Sequence, residues 1–293
     1  MTSESRQGLG TEDQAQLADL GLSLREAERQ LDLLQTPPPP LRIDRPCTVG
    51  DGLLGQETLT GLERLDACES AAAAGRLSQF VPASGAARRM LDAAQKTPQG
   101  SEVSRSELEE RCAAGDETAR ETLGLIDHAS ELPFAEALAN ARAHAAIKLT
   151  RIESAEEVSD LLEALLEPSG LGLLTVAKGL IPFHRYPSGT RTAFEEHLIE
   201  GATFLADREG ISRYHFTVPA AQQGAFESVA SRLASRRNLS LRVSLSIQAK
   251  DTDTLALDRE GRLARRPDGR LHTRPGGHGA LLTNLQRTGG DVV

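Results

Sequence analysis

The sequence predicts an α/β protein of Rossmann-like character, and three observations carry that prediction. First, Leu77-Ser78-Gln79-Phe80-Val81-Pro82-Ala83 reads as a short strand. It runs into Ser84-Gly85-Ala86-Ala87-Arg88-Arg89-Met90-Leu91, giving the strand, small-residue turn and helix of nucleotide-binding α/β folds. Second, strand and helix patterns alternate beyond Pro168. Third, Ser or Thr followed three residues later by Glu or Gln recurs ahead of apolar helical runs, which is the spacing of a capping box.

The elements follow in order. Thr11 with Gln14 and Ser23 with Glu26 cap two N-terminal helices, and Leu24, Ala27, Leu31 and Leu34 share one face of the second. Residues 37–40 are four prolines, a stiff spacer. Residues 58–75 read as a helix ending at Gly75. Residues 1–75 are therefore expected as a helical segment with a Pro-rich linker, and 76–293 as an α/β domain. Ser106/Glu109 and Ser154/Glu157 mark helices of an insertion at about 93–170. Thr192/Glu195 caps a helix to about Ala206. Residues 214–218 predict a buried strand, 222–235 a helix and 239–247 an alternating strand. Three short strands are expected at 254–257, 263–266 and 270–273, parted by turn signals at Glu260-Gly261 and Asp268-Gly269. Asp291-Val292-Val293 reads as the start of a further strand.

Composition narrows the function. The 293 residues are 39% hydrophobic but 3% aromatic, with no Trp, so the core rests on Leu, Ala, Val and Ile. A formal charge of −9 argues against a general nucleic-acid binder. Lys96, Lys148, Lys178 and Lys250 are the only lysines, so a lysine beside a glycine stands out. No apolar run approaches the ~20 residues of a membrane span. The three cysteines, Cys47, Cys68 and Cys112, show no metal or disulfide spacing. The expected setting is cytoplasmic.

Four segments could carry chemistry. The small residues Ala83, Ser84, Gly85, Ala86 and Ala87 would let backbone amides wrap a triphosphate, with Arg88 and Arg89 supplying charge; the same residues also suit an ordinary helix start. Lys178 in Ala177-Lys178-Gly179-Leu180-Ile181-Pro182 would reach phosphate as a compact point charge, or is an exposed lysine before a strand. Gln248 and Lys250 stand where a strand gives way to a loop, the end at which open α/β sheets bind ligands. Asp251 and Asp253 there read as metal ligands or a solvated turn. Arg274-Pro275-Gly276-Gly277-His278-Gly279-Ala280-Leu281 is a glycine turn opening onto an apolar helical run, and a histidine among glycines suits a ligand contact.

Taken together, these segments, with Arg191-Thr192-Ala193-Phe194-Glu195-Glu196-His197 and His215-Phe216-Thr217-Val218, resemble a bacterial family catalogued as a domain of unknown function. That family is in turn similar to the UDP-sugar pyrophosphorylases. The resemblance covers about residues 10–293. It implies a GT-A nucleotidyltransferase-type mixed sheet with helices on both faces. It implies a nucleoside triphosphate, UTP by analogy, and a sugar phosphate as partners, with Mg2+ as cofactor. Lys178 and Arg88 would be catalytic. Ser84, Gly85, Ala86, Arg89, Gln248, Gly276, Gly277, His278 and Gly279 would bind the nucleotide. Two departures stand out: Gly85 and Lys178 are 93 positions apart instead of close, and the first loop has one glycine where the family has two. The magnesium aspartate of such enzymes follows a strand that here stops at Val293, so the expectation is a chain cut short at its C-terminus. The alternatives are a degenerate, non-catalytic nucleotide-binding domain and a metal-dependent hydrolase using His272, His278 and Asp253; the two histidines lack the helical i, i+4 zinc spacing.

Overall fold

A computed structural model describes residues 9–55, 62–100, 103–141 and 147–293. Part of the helix expected over 58–75 lies outside them. The chain is mixed α/β. In order, the elements are α1 (Thr11–Leu20), α2 (Leu24–Gln35), β1 (Thr48–Val49), β2 (Gly52–Leu53), α3 (Leu62–Ala73), β3 (Gln79–Pro82), α4 (Asp92–Lys96), α5 (Arg105–Ala113), α6 (Glu117–Asp127), α7 (Ala135–Ala139) and α8 (Ala155–Leu166). There follow β4 (Pro182–Tyr186), β5 (Gly189–Thr192), α9 (Ala193–Gly201), β6 (Ile211–Thr217), α10 (Gln223–Arg237), β7 (Ser240–Ser246) and α11 (Leu282–Gln286). They form two compact units, Met1–Phe80 with Ser246–Val293, and Val81–Leu245.

In the first unit, α1 and α2 pack on a meander of the C-terminal segment. Leu17, Leu22 and Ala27 share a core with Leu255, Leu263 and Leu271. The three short strands expected in that segment are present only as single bridges, Thr254 to Arg274, Leu257 to Leu263 and Arg265 to Leu271. A helix side chain takes the place of a strand partner: Gln16 accepts from Leu271 N at 2.8 Å and donates to Leu271 O at 3.0 Å. Asp13 receives both guanidinium nitrogens of Arg265, at 2.7 and 2.9 Å. This pairing lowers the Asp13 carboxyl below its ordinary range against the opposing effect of burial. Asp13 also accepts from Gly10 N, so the helix is capped at Gly10 and Thr11 is its first residue, not its cap. Val292 forms a single parallel bridge with Leu77, so the strand expected at the last residues is likewise present only as an isolated bridge.

The second unit is helical from α4 to α8 and mixed thereafter. Leu108, Ile126, Leu138, Leu161, Leu162 and Leu165 centre its helical core. Ser154 Oγ accepts from Glu157 N while Glu157 reaches back to Ser154 N, the expected box for α8. The expected cap at Ser106 is displaced to Ser104, whose Oγ accepts from Glu107 N. Arg105 N is spent on Glu153 O, which fixes the helix start two residues earlier. Residues 81–82 of β3 and 240–245 of β7 belong to this unit, with β6 between the two strands. Thr192 and Glu195 cap α9 as expected. Phe194, Phe216 and Phe226, from α9, β6 and α10, meet edge to face at 4.6 and 4.9 Å. In a chain with seven Phe, that cluster is its principal aromatic packing. Tyr214 is buried beside it, donating to Leu198 O at 2.8 Å, and burial pushes its phenol up to about 12.

Arg265→Ala should cost ~1–3 kcal/mol by leaving a buried carboxylate without its charged donor. Chemical denaturation at neutral pH measures it. Because Asp13 titrates lower when folded, the pair's contribution is complete above the unfolded pKa of ~3.9. It is lost as pH falls through the folded value, so the difference between wild type and variant should shrink in acid.

Candidate functional site

The second unit brings Gly85 and Lys178 together. Ala83 N donates to Thr217 O at 2.9 Å, extending the sheet pairing one residue past β3. The chain then crosses the segment ahead of Lys178. Ala86 bridges Ala177 in antiparallel fashion, and Lys178 N donates to Gly85 O at 3.0 Å. Gln222 holds that segment from the other side: its Oε1 accepts from Ala177 N at 2.9 Å and its Nε2 donates to Thr175 O at 2.7 Å. Beneath it Gly179 is buried, and a Cβ there would stand 3.1 Å from the Phe226 ring. The aromatic cluster thus sets the height of the Lys178 turn.

The backbone N–H groups of Ser84, Gly85 and Ala86 carry no hydrogen bond among the described residues. Lys178, Arg88 and Arg89 are exposed, and among the described residues none is in an ion pair. Free amides beside unpaired cations suit an anion. No helix starts directly behind Gly85: residues 88–91 form a turn and α4 begins at Asp92, five residues long. The bridge to Ala177 holds the loop extended, so a helix dipole does not point at it.

In the first unit, Gln248 and the glycine loop meet. Gln248 Nε2 donates to Thr252 Oγ1 at 3.1 Å and to Gly276 O at 3.3 Å. A Cβ at position 276 would stand 2.5 Å from Thr252 O, so the loop approaches the 250–252 turn as only glycine can. Gly277 and Gly279 have nothing within 4 Å of a Cβ, and His278 is exposed. The helical run expected after the loop is a 3-10 turn, His278–Leu281, followed by the short α11. From α11, Asn284 Nδ2 anchors Ser246 Oγ at 2.8 Å and Ile247 O at 3.1 Å.

Gly276 and Gly277 line a cavity of about 600 Å³ with Thr252, Leu255 and Ala280. α2 forms the opposite part of the lining, through Glu26, Arg29, Gln30, Leu33 and Leu34. Gln30 fixes that wall, since its Oε1 accepts from Leu255 N at 2.9 Å. Sequence reading missed α2 here: its Leu face looked like ordinary core packing, and nothing local reports a partner 225 positions away. It missed Gln222 for the same reason.

Asp253 is half-buried, and burial raises its carboxyl despite Lys250 and a hydrogen bond from Thr273. His272 belongs to the meander through His272 N on Ala264 O. Among the described residues, no group of three His, Cys, Asp or Glu side chains is placed to hold a metal ion.

The fold and its loops define a mixed α/β protein whose glycine-bearing turns are pinned by amide side chains. The chain belongs to the family described as Domain of unknown function (DUF4301), whose model matches residues 10–293. No curated protein and no solved structure matches it. Among the described residues no helix is long and apolar enough to cross a membrane.

Gly276→Ala should destabilise the protein by ~1–3 kcal/mol through forced displacement of the loop, while Gly277→Ala should lie within ~0.5 kcal/mol of wild type. Paired thermal melts test the contrast; equal melting temperatures would remove the close approach at Gly276.

Proposed function

We propose that the chain is a nucleotidyltransferase-like protein that binds a nucleoside triphosphate, UTP by analogy, and transfers its nucleotidyl group to a sugar-1-phosphate. The GT-A relationship to UDP-sugar pyrophosphorylases is part of this reading. The observation that carries it is the free amide run at Ser84, Gly85 and Ala86 fixed beside Lys178, Arg88 and Arg89. A triphosphate offers the dense negative charge that such donors accept. The nucleoside part of the reading, assigned to Gly276 and Gly277 of the first unit, rests on the family resemblance alone. Gln248, His278 and Gly279 belong to that part.

In the proposed reaction a sugar-phosphate oxygen attacks the α-phosphorus, forming one P–O bond as the α–β bridging bond breaks and pyrophosphate leaves. Lys178 with Arg88 and Arg89 would neutralise the phosphates, and the amides would fix their position. No protein nucleophile is required. The donors around Gly85 are cations and amides, which do not fit a resident magnesium ion. Magnesium enters this reading only as the counter-ion of the triphosphate, and no step depends on it.

A non-catalytic nucleotide-binding domain is the second reading, favoured by the single glycine of the Gly85 loop and the late start of α4. Titration calorimetry with UTP, then pyrophosphate release with a panel of sugar-1-phosphates, separates the two. Lys178→Ala should weaken UTP binding about 10-fold, ~1.4 kcal/mol, with an unchanged melting temperature. Undetectable UTP binding by the wild type, or an affinity that Lys178→Ala leaves unaltered, overturns the reading. Tight binding without pyrophosphate release from any tested sugar phosphate selects the non-catalytic form.

A further inference from the structure

The hairpin of β4 and β5, also in the second unit, carries a different constellation. Tyr186 pairs with Gly189, whose φ of +118° is a glycine conformation that closes the turn tightly. Ser188, Gly189, Thr190 and Arg191 of this hairpin line a cavity of about 320 Å³ together with Arg236 and Arg237 from the last turn of α10. Three arginines line it in a chain with a net charge of −9.

Two of the three are held in place. Arg191 lies with its guanidinium carbon 4.0 Å from the Tyr186 ring centre and donates to Glu196 Oε2 at 3.3 Å. Arg236 donates to Glu195 Oε1 at 3.1 Å. Arg237 is in no ion pair among the described residues. Glu196 is already engaged. Its Oε1 accepts from Tyr186 Oη at 2.8 Å and meets His184 Nδ1 at 3.0 Å. Burial pushes the Glu196 carboxyl up, but the hydrogen bonds from Tyr186, His184 and Arg191 prevail and hold it below the usual range. Three arginines thus face two committed carboxylates, which leaves one positive charge unmatched. The last turn of a helix favours cations in its own right. That accounts for Arg236 and Arg237, but not for Arg191 arriving from a separate strand and locked over a tyrosine ring.

We propose that this cavity binds a tetrahedral phosphate group, either inorganic phosphate or the phosphate of a small monoester. Guanidinium forks match phosphate oxygens in pairs, the Ser188 and Thr190 hydroxyls add donors, and the volume suits a small ligand. Arg237 supplies the uncommitted fork, while Arg191 and Arg236 form fixed walls. None of these residues belongs to the nucleotide reading above, so the two stand or fall separately.

The test is a site-resolved NMR titration of the full chain with inorganic phosphate and, in a second arm, with a sugar monophosphate. Saturable shifts of the Gly189 and Thr190 amides are expected. Arg237→Ala should weaken them at least 10-fold, while Arg208→Ala, an exposed arginine elsewhere on the same unit, should change them less than 2-fold. Arg237→Lys keeps the charge and the helix turn and should fall between wild type and Arg237→Ala, which guards against misfolding as the cause. Tighter binding in the second arm identifies a monoester; equal affinities identify the free ion. Absence of saturable shifts at Gly189 and Thr190, or equal effects of Arg237→Ala and Arg208→Ala, overturns the proposal. Shifts confined to Gly85 and Ala86 overturn it too, while leaving the nucleotide reading intact.

Discussion

A two-residue antiparallel contact, Ala86 against Ala177 with the Lys178 amide on the Gly85 carbonyl, organises the second unit. It closes a long loop, and everything from α4 to α8 lies inside that loop. Loop-closure entropy grows only logarithmically, about 0.6 kcal/mol per doubling of length. A long insertion is therefore tolerated if it stabilises itself. The buried Leu108 of α5, Ile126 of α6 and the leucines of α8 supply that stabilisation. Ala87, next to the bridge, and Ile181, just after it, belong to the same core cluster, so the contact and the insertion reinforce one another.

The height and direction of the Lys178 turn depend on scarce side chains. With 3% aromatic residues, the chain commits Phe194, Phe216 and Phe226 to one cluster, and Phe226 lies under Gly179. Gln222, at the start of α10, then ties the same turn by two hydrogen bonds. A rigid support from packing and a directional one from hydrogen bonds act on a few residues, and Lys178 is left exposed at the end of both. In the first unit Gln16 and Gln30 act in the same way, each joining backbone groups that have no strand partner, and Gln248 ties Gly276 O to the Thr252 hydroxyl. Amide side chains, carrying both donor and acceptor, substitute here for the sheet edges that the single bridges fail to build.

What could be read from the sequence followed the range of the interaction. The caps at Ser23, Ser154 and Thr192 are decided within four residues, and the chain shows them. The strand β6, the helix α10 and the strand β7 were legible through their periodicity. The cap at Ser104 was not, because a contact from Glu153 selects it over Ser106. The helix behind Gly85 starts late because a distant segment, Ala177, holds the loop extended. The role of α2 in the Gly276 cavity and the grip of Asp13 on Arg265 join residues more than 200 positions apart, where local pattern carries no signal. Residue types at the candidate loops were readable; which of them would be pinned, buried or left free was not.

The glycines sort themselves by this same distinction. Gly276 and Gly179 are explained by packing, since a Cβ would collide with Thr252 O in one case and crowd Phe226 in the other. Gly85, Gly277 and Gly279 are not: each has open space around a would-be Cβ, and none has the positive φ that reserves a position for glycine. Neither sterics nor backbone conformation calls for glycine at these three positions. What glycine adds there is access, a bare backbone that another molecule can approach within van der Waals contact. Those three residues sit in the two loops that the remaining contacts hold in place, so the support and the access occur at the same points in the chain.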